Sequence, residues 1–351
     1  MLPTAKEFFF NYVEKNATPY HSSFTNLAYS NDLLTNSIIE DVEKDNQHWV
    51  TGFFDELFVG KLGTNEVFAS SLPTGKNYTG YLSVYDVGIT LACYFWCECF
   101  THYIVNFSQL VRQRRDSDLY LKEPGIKQFL DDVADVFNNW RLSGHVNMHE
   151  AQNLYSKHEV KADSPTVANV AACLDKFIVA HEVAHHLAGD TGGAHANIEL
   201  VKSMMNVHRK IPLHFGSETI EHAADILALY LVSGGVKDQQ LLSSIRRHEI
   251  LVNLTLGSLG ALSCVAALIE EPYKKEEEDY PSATSRFNNT LSWVTLQTTL
   301  STLDKNSNER ERDIARTAKS MSKDIMHFHD LLNRSRNERG LTKFNPKTWH
   351  E

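Results

Sequence analysis

The residues best suited to chemistry lie in a single stretch, FIVAHEVAHHLA, at 177 to 188. Within it His181, Glu182 and His185 form an H-E-x-x-H pattern. On a helix, positions i and i+4 share a face, so two imidazoles at this spacing can reach one cation. Glu182 stands beside the first imidazole on a longer stem. It can take a proton from a water polarised by that cation without binding the cation itself. In a chain with 17 histidines among 351 residues, chance yields such a pattern in roughly one sequence in twenty, so the pattern alone is only a hypothesis. Its surroundings add weight. Val167, Val170, Leu174, Phe177, Ile178 and Val179 make the preceding turns strongly apolar. Two histidines and a glutamate in a buried helix are costly unless something satisfies them, and a metal would.

A catalytic zinc ion takes three protein ligands and keeps a position open for water. The metzincin pattern would place glycine at 188 and histidine at 191, where this chain has Ala188 and Thr191, so that class is excluded. The next acidic helical stretch reads SETIEHAADILALYLV. In it Glu221 follows His185 by 36 positions (221 − 185), and Asp225 lies one turn further on the same face. Glu221 is the expected third ligand. Asp225 is expected to orient a ligand histidine through its second ring N–H. Glu218, His195 and His208 are the alternatives for the third ligand. Asp190 stands too soon after the expected helix stop to reach back. Ala223 and Ala224 are small enough to let the two helices pack closely.

With HEVAH at 181 to 185 and EHAAD at 221 to 225, the sequence resembles the gluzincin peptidases. The E-x-x-A-D form is similar to that of the family containing HtpX and the CAAX prenyl proteases, and to that of the phage-exclusion Lit-type peptidases. Tyr280, Pro281 and Ser282, followed by Arg286, look like the HP…R segment of such proteins, with Tyr280 where that pattern has histidine. The resemblance covers roughly residues 165 to 290. It implies a zincin-like core, a two-helix Zn²⁺ site and hydrolysis of peptide bonds in a protein or peptide substrate. A donor to the developing oxyanion is also needed. Tyr280 and His222 are the first candidates, with His186 and Arg286 beside them.

Other histidines and cysteines carry blander readings. Cys93, Cys97 and Cys99 with His102 match no structural zinc spacing and read as thiols in a core helix. His145, His149 and His158 fall in an expected loop over 142 to 164. That loop either simply connects or offers an edge to which an extended substrate adds as a strand. His327 and His329 read as surface positions on a late amphipathic helix. The run ERERDIARTAK reads as a solvated mixed-charge face.

Apolar periodicity predicts the elements that must position these residues. Helices are expected over 5–15, 29–58, 83–115, 125–141, 165–188, 217–233, 238–270, 285–304 and 308–335. Ser164 and Pro165 mark the start of the metal helix and Gly189 its end; Ser217 caps the next helix and Gly234 and Gly235 close it. Residues 59 to 83, rich in Gly, Ser, Thr and Asn, are expected to hold a short hairpin. The fold class is therefore mainly α with a small sheet. Three regions are expected: residues 1–160, helical and covering the site; a metallopeptidase domain over 161–290; and a helical segment over 291–351.

Composition narrows the function classes. A formal net charge of −10 argues against a nucleic-acid binder, which needs a basic face. Five cysteines in a chain of this length read as reduced thiols in a cytoplasmic setting. Residues 250 to 269 carry no charge and approach spanning length, so a membrane span there is the alternative to a buried helix. The expected activity is that of a zinc endopeptidase acting on an intracellular protein. The rival readings are a zinc-binding regulatory or interaction protein without turnover, and a membrane-associated protease.

Overall fold

The computed structural model describes residues 2–16, 33–46, 50, 52–107, 123–161, 165–192, 220–233, 245–268, 282–303 and 308–341. Among them are ten α-helices and three strands. The helices are α1 (Ala5–Asn16), α2 (Leu33–Asn46), α3 (Val87–Asn106), α4 (Pro124–Ser143), α5 (Met148–His158), α6 (Pro165–Ala188), α7 (Ile220–Val232), α8 (Ile245–Leu268), α9 (Ala283–Leu303) and α10 (Glu309–Glu338). The strands are β1 (Leu57–Leu62), β2 (Ala69–Leu72) and β3 (Tyr81–Asp86), in the order β1-β3-β2. β1 pairs with β3 in parallel. β2 pairs with β3 in antiparallel register, Ser71 opposite Ser83, and so forms an edge of the sheet. The expected hairpin is thus β2–β3, with β1 added on the far side.

α6 is the central element. It packs against α7, α8, α3 and the sheet. Leu174, Phe177, Val179, Ala180, Val183, Ala184 and Leu187 are all buried along it, so the helix is apolar nearly all round, as an enclosed helix must be. Burial of each large apolar side chain contributes about 1.5–3 kcal/mol, which outweighs placing a few polar groups among them. α6 meets α8 closely at Gly257, where a β-carbon would lie 2.5 Å from the Cys173 carbonyl oxygen. One core cluster takes in buried residues from Ile38 to Leu332.

α8 contains Leu251–Leu268, which is apolar and long enough to cross a membrane, with a mean hydropathy of 1.8; 83% of that window is buried inside the fold. Ser258 and Thr255 return their hydroxyls to carbonyls one turn back, at 2.7 Å. The five cysteines are free thiols. Cys93, Cys97 and Cys99 are fully buried in α3, as core thiols.

Four expectations are corrected. The helix expected over 29–58 ends at Asn46, and Leu57 begins β1, which pairs with β3. Residues 142–164 are not a loop: α5 occupies 148–158, capped by the Asn147 side chain, which accepts from His149 N–H. Only Ala151 and Leu154 are buried on it, too faint a pattern to read as a helix. His158 there binds Asp132 at 2.5 Å, and His145 forms an isolated bridge to Glu66 and exchanges backbone hydrogen bonds with the Ser143 hydroxyl. The helix expected from 83 begins at Val87, because Tyr81–Asp86 pairs as β3 and Asp86 then caps the helix by accepting from Gly88 N–H at 2.8 Å. Finally, His329 is buried rather than superficial. It stacks on Phe287 at 4.1 Å and lies between Ser263 and Asn333.

Candidate metal centre

The site is built where α6, α7, α9 and β2 meet. α6 supplies His181 and His185 from one face. Their rings stand nearly perpendicular, with Nε2 atoms 3.2 Å apart. α7 supplies Glu221, whose Oε2 lies 3.3 Å from His181 Nε2 and Oε1 3.6 Å from His185 Nε2. Among the described residues this is the group of histidine, cysteine and acid side chains placed to hold a metal ion. The spacing suits tetrahedral coordination: bonds of about 2.0–2.1 Å separate ligand atoms by about 3.3–3.4 Å.

The outer nitrogen of each ring is also occupied. His181 Nδ1 lies 2.9 Å from Asp225 Oδ1, and His185 Nδ1 lies 3.1 Å from Asp190 Oδ2. A carboxylate on Nδ1 keeps the proton there and leaves the Nε2 lone pair directed at the shared centre. Asp225 thus stands where the sequence placed it. Asp190, set aside as a third ligand, lies against the outer nitrogen of His185 and not in the group facing the shared centre. Gly189 adopts a left-handed backbone (φ 87°), and the chain reverses so tightly that Asp190 N–H bonds to the His185 carbonyl at 3.1 Å. Only a residue free to take positive φ turns a helix end this sharply.

Arg286 on α9 clamps both acids, and its Nη2 also lies 3.3 Å from His181 Nε2 and 3.4 Å from Nδ1. Its Nε and Nη2 donate to the two Asp225 oxygens at 2.8 and 2.7 Å, and its Nη1 lies 3.0 Å from Glu221 Oε2. Burial opposes ionisation of Glu221, but His181 and Arg286 hold its pKa down to about 2. Asp225 is likewise held below the usual carboxylate range against its burial, chiefly by Arg286, and Arg286 itself is held above its ordinary value by Asp225 and Glu221. Burial and Arg286 weigh against a charged His181, yet hydrogen bonds to Asp225 and Glu221 lift its pKa to about 9. A field that favours an imidazolium also favours a cation bound between the rings.

Glu182, 9% exposed, is held by β2. The Ser71 hydroxyl lies 3.0 Å from Glu182 Oε2 and also reaches the Glu182 backbone carbonyl. Nothing in the sequence marked Ser71, one serine in a stretch rich in small polar residues.

The candidate oxyanion donors are dispersed. His222 faces α9, with Nε2 3.4 Å from Ser285 Oγ. His186 is fully buried against Tyr81, with Nδ1 2.8 Å from Thr191 Oγ1, and burial lowers its pKa to about 4. Arg286 is at the site but engaged by both acids. Tyr280, Glu218, His195 and His208 lie outside the described residues, as do the expected caps Ser164, Ser217, Gly234 and Gly235. Compared with family models, curated proteins and solved structures, the chain matches none, so the functional reading rests on this geometry.

Proposed function

We propose that the protein is a zinc-dependent peptidase, with zinc held by His181, His185 and Glu221 and with Glu182 as general base. The observation that carries this reading is the convergence of two Nε2 atoms and one carboxylate within 3.2–3.6 Å, each ring backed by its own acid. The donor set fits the metal: two imidazoles and a carboxylate form a catalytic zinc set, whereas magnesium and calcium take oxygen shells. When bound, zinc supplies Lewis acidity, acidifying water and polarising a carbonyl. The chain's own residues do the rest. Glu182 takes a proton from the attacking water and returns it to the departing amine. Asp225 and Asp190 fix the ring tautomers. The edge of β2 away from β3, beside Glu182, would offer backbone groups with which an extended peptide can pair; this is the aligning role weighed, beside plain connection, for 142–164.

The test is zinc content on the purified chain, wild type beside His185→Ala, together with cleavage of a peptide library by wild type and Glu182→Gln. The reading expects about one zinc in wild type and in Glu182→Gln, little in His185→Ala, and cleavage by wild type alone. Side-chain exposures of only 10%, 12% and 13% for His181, His185 and Glu221 also suit a protein that holds zinc without turnover. Bound zinc with no cleavage by wild type would select that second reading. Cleavage surviving in zinc-loaded Glu182→Gln would refute the mechanism.

A further inference from the structure

We propose that Ser71 is the positioning residue for Glu182, fixing one carboxylate oxygen so that the other does the proton transfer. The inference rests on the peptidase reading above and adds a residue from outside the two metal helices. Among the described residues the Ser71 hydroxyl is the hydrogen-bond partner of the Glu182 carboxylate, through Oε2 at 3.0 Å. Among the described residues Oε1 receives no such bond. A carboxylate on a three-torsion stem has several rotamers of similar energy, and one hydrogen bond to a charged acceptor selects among them by about tenfold or more. With Oε2 engaged, Oε1 is the oxygen that takes the proton from water and returns it to the leaving nitrogen. Ser71 itself gains and loses nothing.

The strand that carries Ser71 is itself anchored. Ser71 stands opposite Ser83 in the β2–β3 register, with the hydroxyl oxygens 3.4 Å apart. Ser83 is buried and can donate to Ser71 while Ser71 donates onward. Two residues past β2, Thr74 N–H bonds to the Thr191 carbonyl at 2.9 Å, in the turn that follows α6. The strand is therefore tied to α6 both at Glu182 and beyond the helix end. A rival account exists on the same atoms: the hydroxyl also reaches the Glu182 backbone carbonyl and could serve only to join strand to helix. That account predicts an effect on stability alone.

The experiment uses the full-length zinc-loaded chain as wild type, Ser71→Ala and Ser71→Thr. Zinc per chain and thermal stability are measured first. Affinity for acetohydroxamate follows by calorimetry, since this probe gives up its N–O–H proton to a base beside the metal. Then kcat and KM are measured on a quenched fluorescent peptide library. We expect equal zinc in all three. In Ser71→Ala, acetohydroxamate affinity and kcat should each fall about tenfold with KM within about twofold. Ser71→Thr, which keeps the hydroxyl, should recover both. Wild-type acetohydroxamate affinity in zinc-loaded Ser71→Ala would overturn the proposal, even if its melting temperature fell. So would a Ser71→Thr variant that is folded, zinc-loaded and as impaired as Ser71→Ala. Wild type without zinc would instead overturn the metal reading, and the role of Ser71 with it.

Discussion

Replacing Asp225 by asparagine separates the roles packed into one carboxylate. Asp225 is 2% exposed and serves three bonds: one to His181 Nδ1 at 2.9 Å and two to Arg286 at 2.7 and 2.8 Å. Asparagine keeps the shape but turns one oxygen into a donor. If its amide oxygen accepts from His181, its NH₂ faces the guanidinium; if it serves Arg286, the NH₂ faces the ring. Either the ring tautomer or the clamp is lost. Loss of such a partner costs about 10–100-fold in metal affinity, which is about 1.4–2.7 kcal/mol at 1.36 kcal/mol per decade. Removing one member of a buried ion pair costs about 3–5 kcal/mol of stability, and here less, because Glu221 still faces Arg286 at 3.0 Å. Asp190→Asn is the comparator. Asp190 is exposed and meets His185 at 3.1 Å, so it should cost about tenfold in zinc affinity and under about 0.5 kcal/mol in stability. Competition against a chromophoric zinc chelator reads the first quantity and denaturant unfolding the second. An Asp225→Asn chain that holds zinc within about threefold of wild type would refute the tautomer argument. Equal losses in the two variants would refute the distinction between them.

Three further outcomes follow from the packing. Gly257→Ala should destabilise by about 1–3 kcal/mol in denaturant unfolding, because the new methyl meets the Cys173 carbonyl at 2.5 Å; Gly125→Ala, with nothing within 4 Å, should be neutral or stabilising. Burial, partly offset by Arg334, raises Asp330 from 3.8 to about 7, so its share of stability is present below pH 3.8 and lost as pH rises through 7; Asp330→Asn should therefore gain about 2–3 kcal/mol more at pH 8 than at pH 5. His329 is lowered from 6.5 to about 3 by burial and Arg336. It favours folding above pH 6.5 and costs about 2 kcal/mol by pH 5, so His329→Asn should flatten that acid slope whatever its starting stability.

What the sequence disclosed was local. α6 runs over the expected 165–188 because Pro165 and Gly189 mark its two ends and its apolar spacing is dense between them. His181 with His185, and Glu221 with Asp225, were legible because i and i+4 share a face whatever the rest of the chain does. Arg286 came only as one of four donors, and its real partners lie 61 and 65 positions away, on α7. Ser71 lies 111 positions from Glu182, and no periodicity within a strand of four residues points across such a distance. Asp190 meets the outer nitrogen of His185 through a backbone reversal at the left-handed Gly189, which spacing along the chain does not display. His329 was misjudged because α10 is exposed at its start yet buried along its later turns, where Ser322, Asn333, Ser335 and Arg336 are all enclosed. A polar sequence there reads as surface, although these side chains are enclosed and bond to backbone carbonyls, to Asp131 and to His329.

The charges around the site are compatible with the proposed divalent ion. Four carboxylates, Glu182, Asp190, Glu221 and Asp225, gather about the two imidazoles, with Arg286 as the guanidinium that touches them. With neutral rings that leaves a net charge of minus three, one of it on the exposed Asp190 and the rest in a region where Glu182 and Asp225 are buried and Glu221 nearly so. A protonated His181 recovers only one. Enclosed like charges repel strongly and are retained where something compensates them. A dication between the rings brings the sum to minus one and turns the nitrogen–nitrogen approach of 3.2 Å from a contact of two lone pairs into two coordinate bonds. Imidazole pairs favour zinc and its transition-metal neighbours over magnesium or calcium. On the zinc reading proposed above, the field suits the charge of a dication, the rings suit zinc among dications, and Glu182 is the acid proposed to move the proton.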